Sequence, residues 1–576
     1  MPPFALQPLV VALFITLPWL NPLAPGPVPS VFPWLLTAWL VCTAVIVSAP
    51  LAQQRLLSSR RATSAITLAI LSTLAWAAMP REAAATSYEL LALAGGLVLI
   101  ALGALLARQA KGATIAGRPW AYWCALWPWL AAGLISCVLA LLQYTGHASP
   151  LVPWVNWAPP GEAYANLRQR NQFASLTNIA LAALLAWRVL PRRTTDPSRA
   201  SEFALAAALA LLAIGNAASS SRTGLLQLVC ICAAVLFWRR DRRVLMWMVW
   251  TLACYAIGVL GLPWAIGLDP SLHGMFSRLR AGDAVCSSRL TLWNNVLDLI
   301  ALRPWRGWGW GELDYAHYMT LYDGPRFCDI LDNAHNLPLQ IAVELGLPSA
   351  LLAGGALLAW VVLRRPWRET DPLRQMAWLV LGVILLHSLL EYPLWYGPFQ
   401  LVFGLCLGLL WPGAAGAGAS AEADTGAEPG AGRSPRRTSV ATALPRAAAV
   451  LLLAGVAYAA WDYTRISQLY LARADRLAPW RDDTLDKLRA SWLFASQVRF
   501  AELSMTAVTP ADAAAVHALA QRMLHFSPEP RVIARLIDSA RLLGRDDEAA
   551  ALAARFEAAF PVEHARWRRD RPPPAP

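Results

Sequence analysis

Asp332-Asn333-Ala334-His335-Asn336 ends a polar stretch, from about Leu262 to Asn336, that interrupts the otherwise very apolar first 411 residues. A hydrophobic run follows at once. That contrast decides the fold class. The apolar blocks on either side approach the ~20 residues needed to cross ~30 Å of hydrocarbon, so the polar stretch is read as a loop outside the cytoplasm and the flanking helices as its floor. Of 576 residues, 57% are hydrophobic and 15% charged, and the mean hydropathy is +0.43. An all-α polytopic membrane protein is expected.

Spans are placed at 8–24, 33–53, 64–80, 88–107, 119–143, 172–190, 203–218, 223–238, 244–264, 337–363, 376–391, 395–411 and 447–463, about thirteen in all. Many of the 28 tryptophans sit at block ends, where an amphipathic ring suits the headgroup layer. The net charge of +13 is spread over short loops between spans, which is a topology signal, so no nucleic-acid partner is expected. Basic clusters such as Arg239/Arg240/Arg242/Arg243 and Arg364/Arg365/Arg368/Arg374 alternate with connections almost free of cations. The positive-inside rule then puts the N-terminus in the cytoplasm and the C-terminus outside. Pro8 to Leu20 lacks a basic n-region and a cleavage site, and reads as a retained first span.

The resulting division is 1–411 as the transmembrane domain with its outer loop at 265–335, 412–446 as a flexible cytoplasmic linker rich in Ala, Gly, Ser and Pro, 447–463 as the last span, and 464–576 as a helical domain outside. Within the last, Arg531 to Pro561 is read either as a tetratricopeptide-like helix pair or as an ordinary helical hairpin. Seven of nine cysteines fall inside apolar spans, where a thiol is a small hydrophobe. Only Cys286 and Cys328 lie in the loop, and in an oxidising compartment they are a candidate disulfide.

With this register every polar cluster faces outward. Two arginines begin helices there, Arg222 after Ser219-Ser220-Ser221 and Arg289 after Ser287-Ser288, with the serines as candidate N-caps. The helix dipole disfavours a cation at that end, so an anion held between guanidinium and N–H groups would explain both; snorkelling or pairing with a loop carboxylate is the alternative. In the Arg289 helix, Leu290, Trp293, Leu297 and Ile300 share a face. Arg168 and Arg170 are equally well explained as an anion site or as a positive loop edge. His335 stands where a span begins, flanked by Asn333 and Asn336, which could cap the helix or fix the imidazole tautomer, and is a candidate general base. His387 and Glu391 share a helix face. No compact ligand spacing of the H-E-x-x-H kind is present, so neither metal nor cofactor is expected.

Asn166-Leu167-Arg168-Gln169-x-Asn171-Gln172, Ser221-Arg222, Arg289-x-x-x-Trp293, Pro304-x-x-Gly307-Trp308-Gly309-x-Gly311, Asp332-Asn333-Ala334-His335-Asn336 with Glu344-x-Gly346, and His387-Ser388-Leu389-Leu390-Glu391-Tyr392-Pro393-Leu394-Trp395 together resemble the bacterial O-antigen ligase and polymerase superfamily. Within it they look most like the PglL-type protein O-oligosaccharyltransferases. Arg170 departs from the pattern, which has proline there. The resemblance implies a GT-C-like enzyme of the inner membrane with its site in the periplasm. It would transfer a glycan from undecaprenyl pyrophosphate to a serine or threonine hydroxyl of an acceptor protein such as a pilin. By the same resemblance His335 would act on the acceptor hydroxyl and Arg222, Arg289, Arg168 and Arg170 would bind pyrophosphate, supported by Asn171, Gln172, Asp332, Asn336, His387 and Glu391. Competing readings are an O-antigen ligase acting on lipid A core, a glycan polymerase and, from another class, a transporter or lipid flippase. The last would place ionisable residues at mid-membrane depth. The soluble tail favours a protein acceptor.

Overall fold

The computed structural model describes residues 6–23, 31–48, 87–109, 114–115, 117–191, 197–280, 285–411 and 435–570. It is helical almost throughout. Among the described residues one sheet occurs, a pair of two-residue strands, Thr114–Ile115 with Arg118–Pro119. Among the described residues six helices are long and apolar enough to cross a membrane: Val31–Ser48, Glu89–Arg108, Tyr122–Tyr144, Arg199–Ala218, Arg242–Ala265 and Leu347–Arg368. Gln7–Leu20, Arg222–Trp238, Pro372–Ser388 and Gly397–Leu410 are apolar but shorter. The protein is thus an all-α integral membrane protein.

Among the described residues thirteen spans are not reached. The expected spans at 64–80 and the linker up to 434 lie outside the described residues. The expected span 172–190 is the helix Arg170–Arg188, which is diluted by Gln172, Ser175, Thr177 and Asn178. The expected span 337–363 is two helices, Leu337–Leu345 and Leu347–Arg364, broken at Gly346 with φ +90°. The helix Pro435–Ser467 runs through the expected last span without a break at 464.

The chain packs as two units. The first comprises Met1–Leu68, Gly96–Ala281 and Trp360–Ala457. Its centre is Arg170–Arg188, which packs against Trp127–Tyr144, Arg199–Ala218, Arg222–Trp238 and Pro372–Ser388. Every residue from Gln172 to Ala186 is buried, so the polar residues of the run find protein partners instead of lipid. Small residues allow the close approach. A Cβ on Gly224 would stand 2.4 Å from the Cβ of Ala174.

The second unit comprises Ala69–Gly95, Gly282–Ala359 and Tyr458–Pro576, so the polar loop and the C-terminal helices fold together. One apolar cluster joins Leu292, Val296 and Leu299 of the helix Arg289–Leu302 to Leu313, Leu331, Ala334 and Val343. The core face of that helix runs through Leu292, Val296 and Leu299, which are fully buried, whereas Leu290 and Leu297 are 71% and 51% exposed. Both stripes have helical spacing, and the loop packs on the one that starts at Leu292.

A second cluster is built by the C-terminal helices Ala495–Met505, Ala513–Phe526, Pro530–Leu542 and Asp546–Ala559, the last two forming a hairpin. Tyr318, from the loop helix Leu313–Met319, is part of this core and only 2% exposed. Its hydroxyl donates to the Leu552 carbonyl at 3.2 Å, and Arg555 Nε donates to the Met319 carbonyl at 2.9 Å. Glu312, 2% exposed, lies 2.7 Å from His525 Nδ1, and Tyr315 stacks on the His525 ring at 3.7 Å. Burial pushes the Glu312 carboxyl up, and His525 opposes that shift.

Cys286 and Cys328 are bonded to each other, with Cα atoms 5.2 Å apart, inside the usual disulfide range. The Cys328 N–H also donates to the Cys286 carbonyl at 3.0 Å. The bridge closes 42 residues of sequence, a loop whose closure restricts the unfolded chain by about 4 kcal/mol. Peptide mapping of the isolated protein should find neither thiol alkylated until reductant is added; alkylation of both without reductant would contradict the bridge.

Candidate active site

The first unit gathers one polar cluster around its central helix. Ser221 caps Arg222–Trp238, its Oγ accepting from the Gly224 N–H at 3.0 Å and donating to Asn171 Oδ1 at 2.6 Å. The cap fixes where Arg222, in the first turn, projects. Asn171 Nδ2 reaches Glu391 Oε1 at 3.4 Å. One turn below, Ser175 Oγ lies 2.9 Å from His387 Nδ1 and bonds Gln227, whose Oε1 accepts from Asn178 Nδ2 at 3.0 Å. Asn178 Oδ1 in turn accepts from Asn216 Nδ2 at 3.1 Å. Asn171, Ser175 and Asn178 lie at i, i+4 and i+7, one face of one helix. The sequence reading singled out Asn171, His387 and Glu391 but missed Ser175, Asn178, Asn216 and Gln227, although polar residues at that spacing in an apolar run are a visible signal.

Arg168 and Arg170 are held by the loop that precedes the central helix. Arg168 has φ +55° and its guanidinium donates to Asn156 Oδ1 at 2.9 Å. Asn166 ties the same loop down through the carbonyls of Leu20 and Trp154. Gln169 caps the helix by accepting from the Gln172 N–H at 2.6 Å. Arg170 is thus the first helical residue, the position that favours proline. Arginine fits there too, and it lies 3.6 Å from Glu162, a half-exposed ion pair that contributes little.

The second unit carries the His335 turn. His335 sits in the left-handed region with φ +49°, a conformation that costs a β-carbon residue roughly 1–2 kcal/mol and persists only where its surroundings enforce it. Three side chains do so. Asn333 Oδ1 accepts from the His335 N–H at 2.8 Å, Gln340 Oε1 accepts from the Ala334 N–H at 2.6 Å, and Trp293 Nε1 donates to the Ala334 carbonyl at 3.1 Å. Asn336 caps the following helix, accepting from the Leu339 N–H at 3.1 Å. Of the two flanking asparagines, one holds the turn and the other the helix. Asp332, at the surface, is within electrostatic reach of the His335 ring.

Arg289 belongs to the same unit. Ser288 caps its helix by accepting from the Thr291 N–H at 3.1 Å. Trp293, one turn on from Arg289, is the residue that bonds Ala334, so a single helix start carries the cation and ties down the histidine turn. Arg222 belongs to the first unit.

The Gly-Trp segment from Pro304 to Gly311 finishes the Leu337–Leu345 helix. Trp308 and Gly309 donate their N–H groups to the carbonyls of Val343 and Glu344 at 2.8 and 3.0 Å, and the Leu347 N–H donates to the Pro304 carbonyl at 2.8 Å. These bonds satisfy helix-end carbonyls that would otherwise lack partners. Gly307 has φ +67°, and a Cβ there would stand 2.4 Å from the Glu344 backbone. Gly307→Ala is expected to destabilise the second unit by about 2–5 kcal/mol. Thermal unfolding of the purified protein checks this, with Gly354→Ala, which meets nothing within 4 Å, as the control that should leave the midpoint in place.

His317 is structural. Its Nε2 lies 3.1 Å from the Phe327 carbonyl and must donate, so Nδ1 accepts from the Tyr322 hydroxyl at 2.8 Å. Burial, aided by the Arg326 charge, pushes its pKa down to about 3, so the ring stays neutral. Among the described residues no three His, Cys, Asp or Glu side chains gather as metal ligands.

Comparison with known proteins follows the same order along the chain. Residues 163–188, the central helix and its loop, match the family described as protein glycosylation ligase. Residues 206–354, which include the Arg222 helix and the His335 turn, match O-antigen ligase. Residues 375–573, with His387, Glu391 and the C-terminal helices, match virulence factor membrane-bound polymerase, C-terminal. The chain is 24% identical over 300 residues to a general O-oligosaccharyltransferase of Acinetobacter baylyi, covering 49% of each chain. It is 25% identical over 257 residues to a ComP-specific O-oligosaccharyltransferase of the same organism, covering 43% of this chain and 44% of the relative. The chain thus matches about half the length of these curated relatives. Taken together, these matches make the chain similar to O-antigen ligases and to protein O-oligosaccharyltransferases.

Proposed function

We propose that the protein transfers a glycan from undecaprenyl pyrophosphate to a serine or threonine hydroxyl of a periplasmic acceptor protein, pilin-like in character, at the inner membrane. The observation that carries this reading is the His335 turn: a histidine held left-handed by three side chains, inside the region that matches O-antigen ligases. Strain enforced in this way is common where a side chain must be presented for chemistry.

In this reading His335 removes or orients the proton of the acceptor hydroxyl as the oxygen attacks the anomeric carbon. The bond between that carbon and the pyrophosphate oxygen breaks, and the configuration inverts. Arg222 and Arg289, each in the first turn of a serine-capped helix, offset the charge that develops on the leaving pyrophosphate, where a guanidinium offers paired donors. Arg168 and Arg170 add to the positive field. Asn171 and Glu391 hold the cap that aims Arg222, His387 bonds Ser175 one turn below, and Asp332 acts electrostatically on His335.

The matches to O-antigen ligase and to a membrane-bound polymerase support a second reading, in which lipid A core or a growing glycan is the acceptor. One experiment separates them. Cells that supply an undecaprenyl-pyrophosphate glycan are given this protein with a co-expressed pilin, and a ligase-deficient strain is given the protein alone. A glycosylated pilin supports the protein acceptor; restored long-chain lipopolysaccharide with an unmodified pilin moves the acceptor to lipid A core.

A further inference from the structure

A buried hydrogen-bond relay runs from the His335 turn to the Gly-Trp segment. Gln340 and Glu344, each 2% exposed, lie at i and i+4 on the Leu337–Leu345 helix. Gln340 Oε1 accepts from the Ala334 N–H at 2.6 Å. Its side-chain bond to Glu344 favours the carboxylate form, so it comes from Nε2, the side chain's donor. Glu344 Oε1 then accepts from the Gly311 N–H at 3.0 Å. The order is thus amide N–H, side-chain amide, carboxyl, amide N–H, and each group has one arrangement that satisfies it. Burial makes a broken link expensive.

We infer that Gln340 and Glu344 are positioning residues for His335: they set the Ala334 peptide, and hence the direction of the histidine, by referring it to the rigid Gly311 end of the loop. The inference rests on the glycosyltransferase reading for its catalytic meaning. What it demands of the two side chains is a polarity, with an acceptor towards Ala334, a donor and an acceptor meeting between the helix turns, and an acceptor towards Gly311. Shape alone demands none of this.

That polarity is testable by exchange. Gln340→Glu keeps the acceptor towards Ala334 but sets two acid groups side by side. Glu344→Gln sets one amide NH2 against another. The double variant Gln340→Glu/Glu344→Gln restores every bond with the donor and acceptor reversed in the middle link. In the full-length protein each single variant is expected to lower kcat on the order of 10²-fold with KM for the acceptor unchanged, and the double variant to recover to within about tenfold of wild type. Hydrogen exchange gives a readout independent of activity: the 332–336 amides should exchange faster in each single variant and return to wild-type protection in the double. Single variants with wild-type kcat and exchange, or a double variant no better than the worse single, would overturn the inference. If the wild type transfers no glycan, that result counts against the glycosyltransferase reading, and the exchange pattern decides the relay by itself.

Discussion

Deletion of residues 464–576 is expected to abolish transfer altogether, for every acceptor, because it removes the C-terminal helices against which Tyr318 of the polar loop packs. Tyr318 would lose the Leu552 carbonyl and the apolar residues around it, and Glu312 would lose His525 while remaining in a site that already pushes its carboxyl up. A large aromatic stripped of its packing costs about 3–5 kcal/mol, and an orphaned buried acid adds to that. The Leu313–Met319 helix lies in sequence between the Gly-Trp segment and the Cys328 end of the disulfide, so its loss reaches the loop on both sides. Limited proteolysis should therefore cut the truncated chain between 312 and 332, where the full-length chain resists. A truncated protein that keeps this segment protected and merely glycosylates a different acceptor would show the tail to be a selectivity module instead. Tyr318→Ala in the intact chain is the milder form of the same test.

How much of this was legible in the sequence depends on the scale of the signal. Hydropathy over blocks of about 20 residues gives the membrane class and the bounds of helices such as Arg242–Ala265 to within a few residues. Caps were equally visible, since Ser221, Ser288 and Asn336 each stand directly before a helix that they close by a side-chain bond. What failed is what only tertiary packing sets. The apolar run after His335 reads as one span because nothing local shows that Trp308 and Gly309 will take the carbonyls of Val343 and Glu344 and end the helix there. The Arg289 helix offers two apolar stripes, and the choice between Leu290 and Leu292 is made by residues far along the chain. Gln340 gave no motif at all; its role depends on the Ala334 amide coming to it. The tail reads as a separate body because its helices have their own periodicity, whereas Tyr318 lies about 180 residues or more before the side chains that bury it.

The central claim is that His335 performs the chemistry. The side chains of Asn333, Gln340 and Trp293 hold its turn through main-chain atoms of Ala334 and His335. His335→Ala should therefore leave the fold in place, and removing a general base costs on the order of 10²–10⁴-fold in rate. The measurement is transfer of an undecaprenyl-pyrophosphate glycan to a co-expressed pilin by wild type and His335→Ala, at equal amounts of protein in the membrane. Glycosylated pilin with the wild type and a loss of that size with the variant is the predicted result. Transfer by His335→Ala at the wild-type rate would contradict the account.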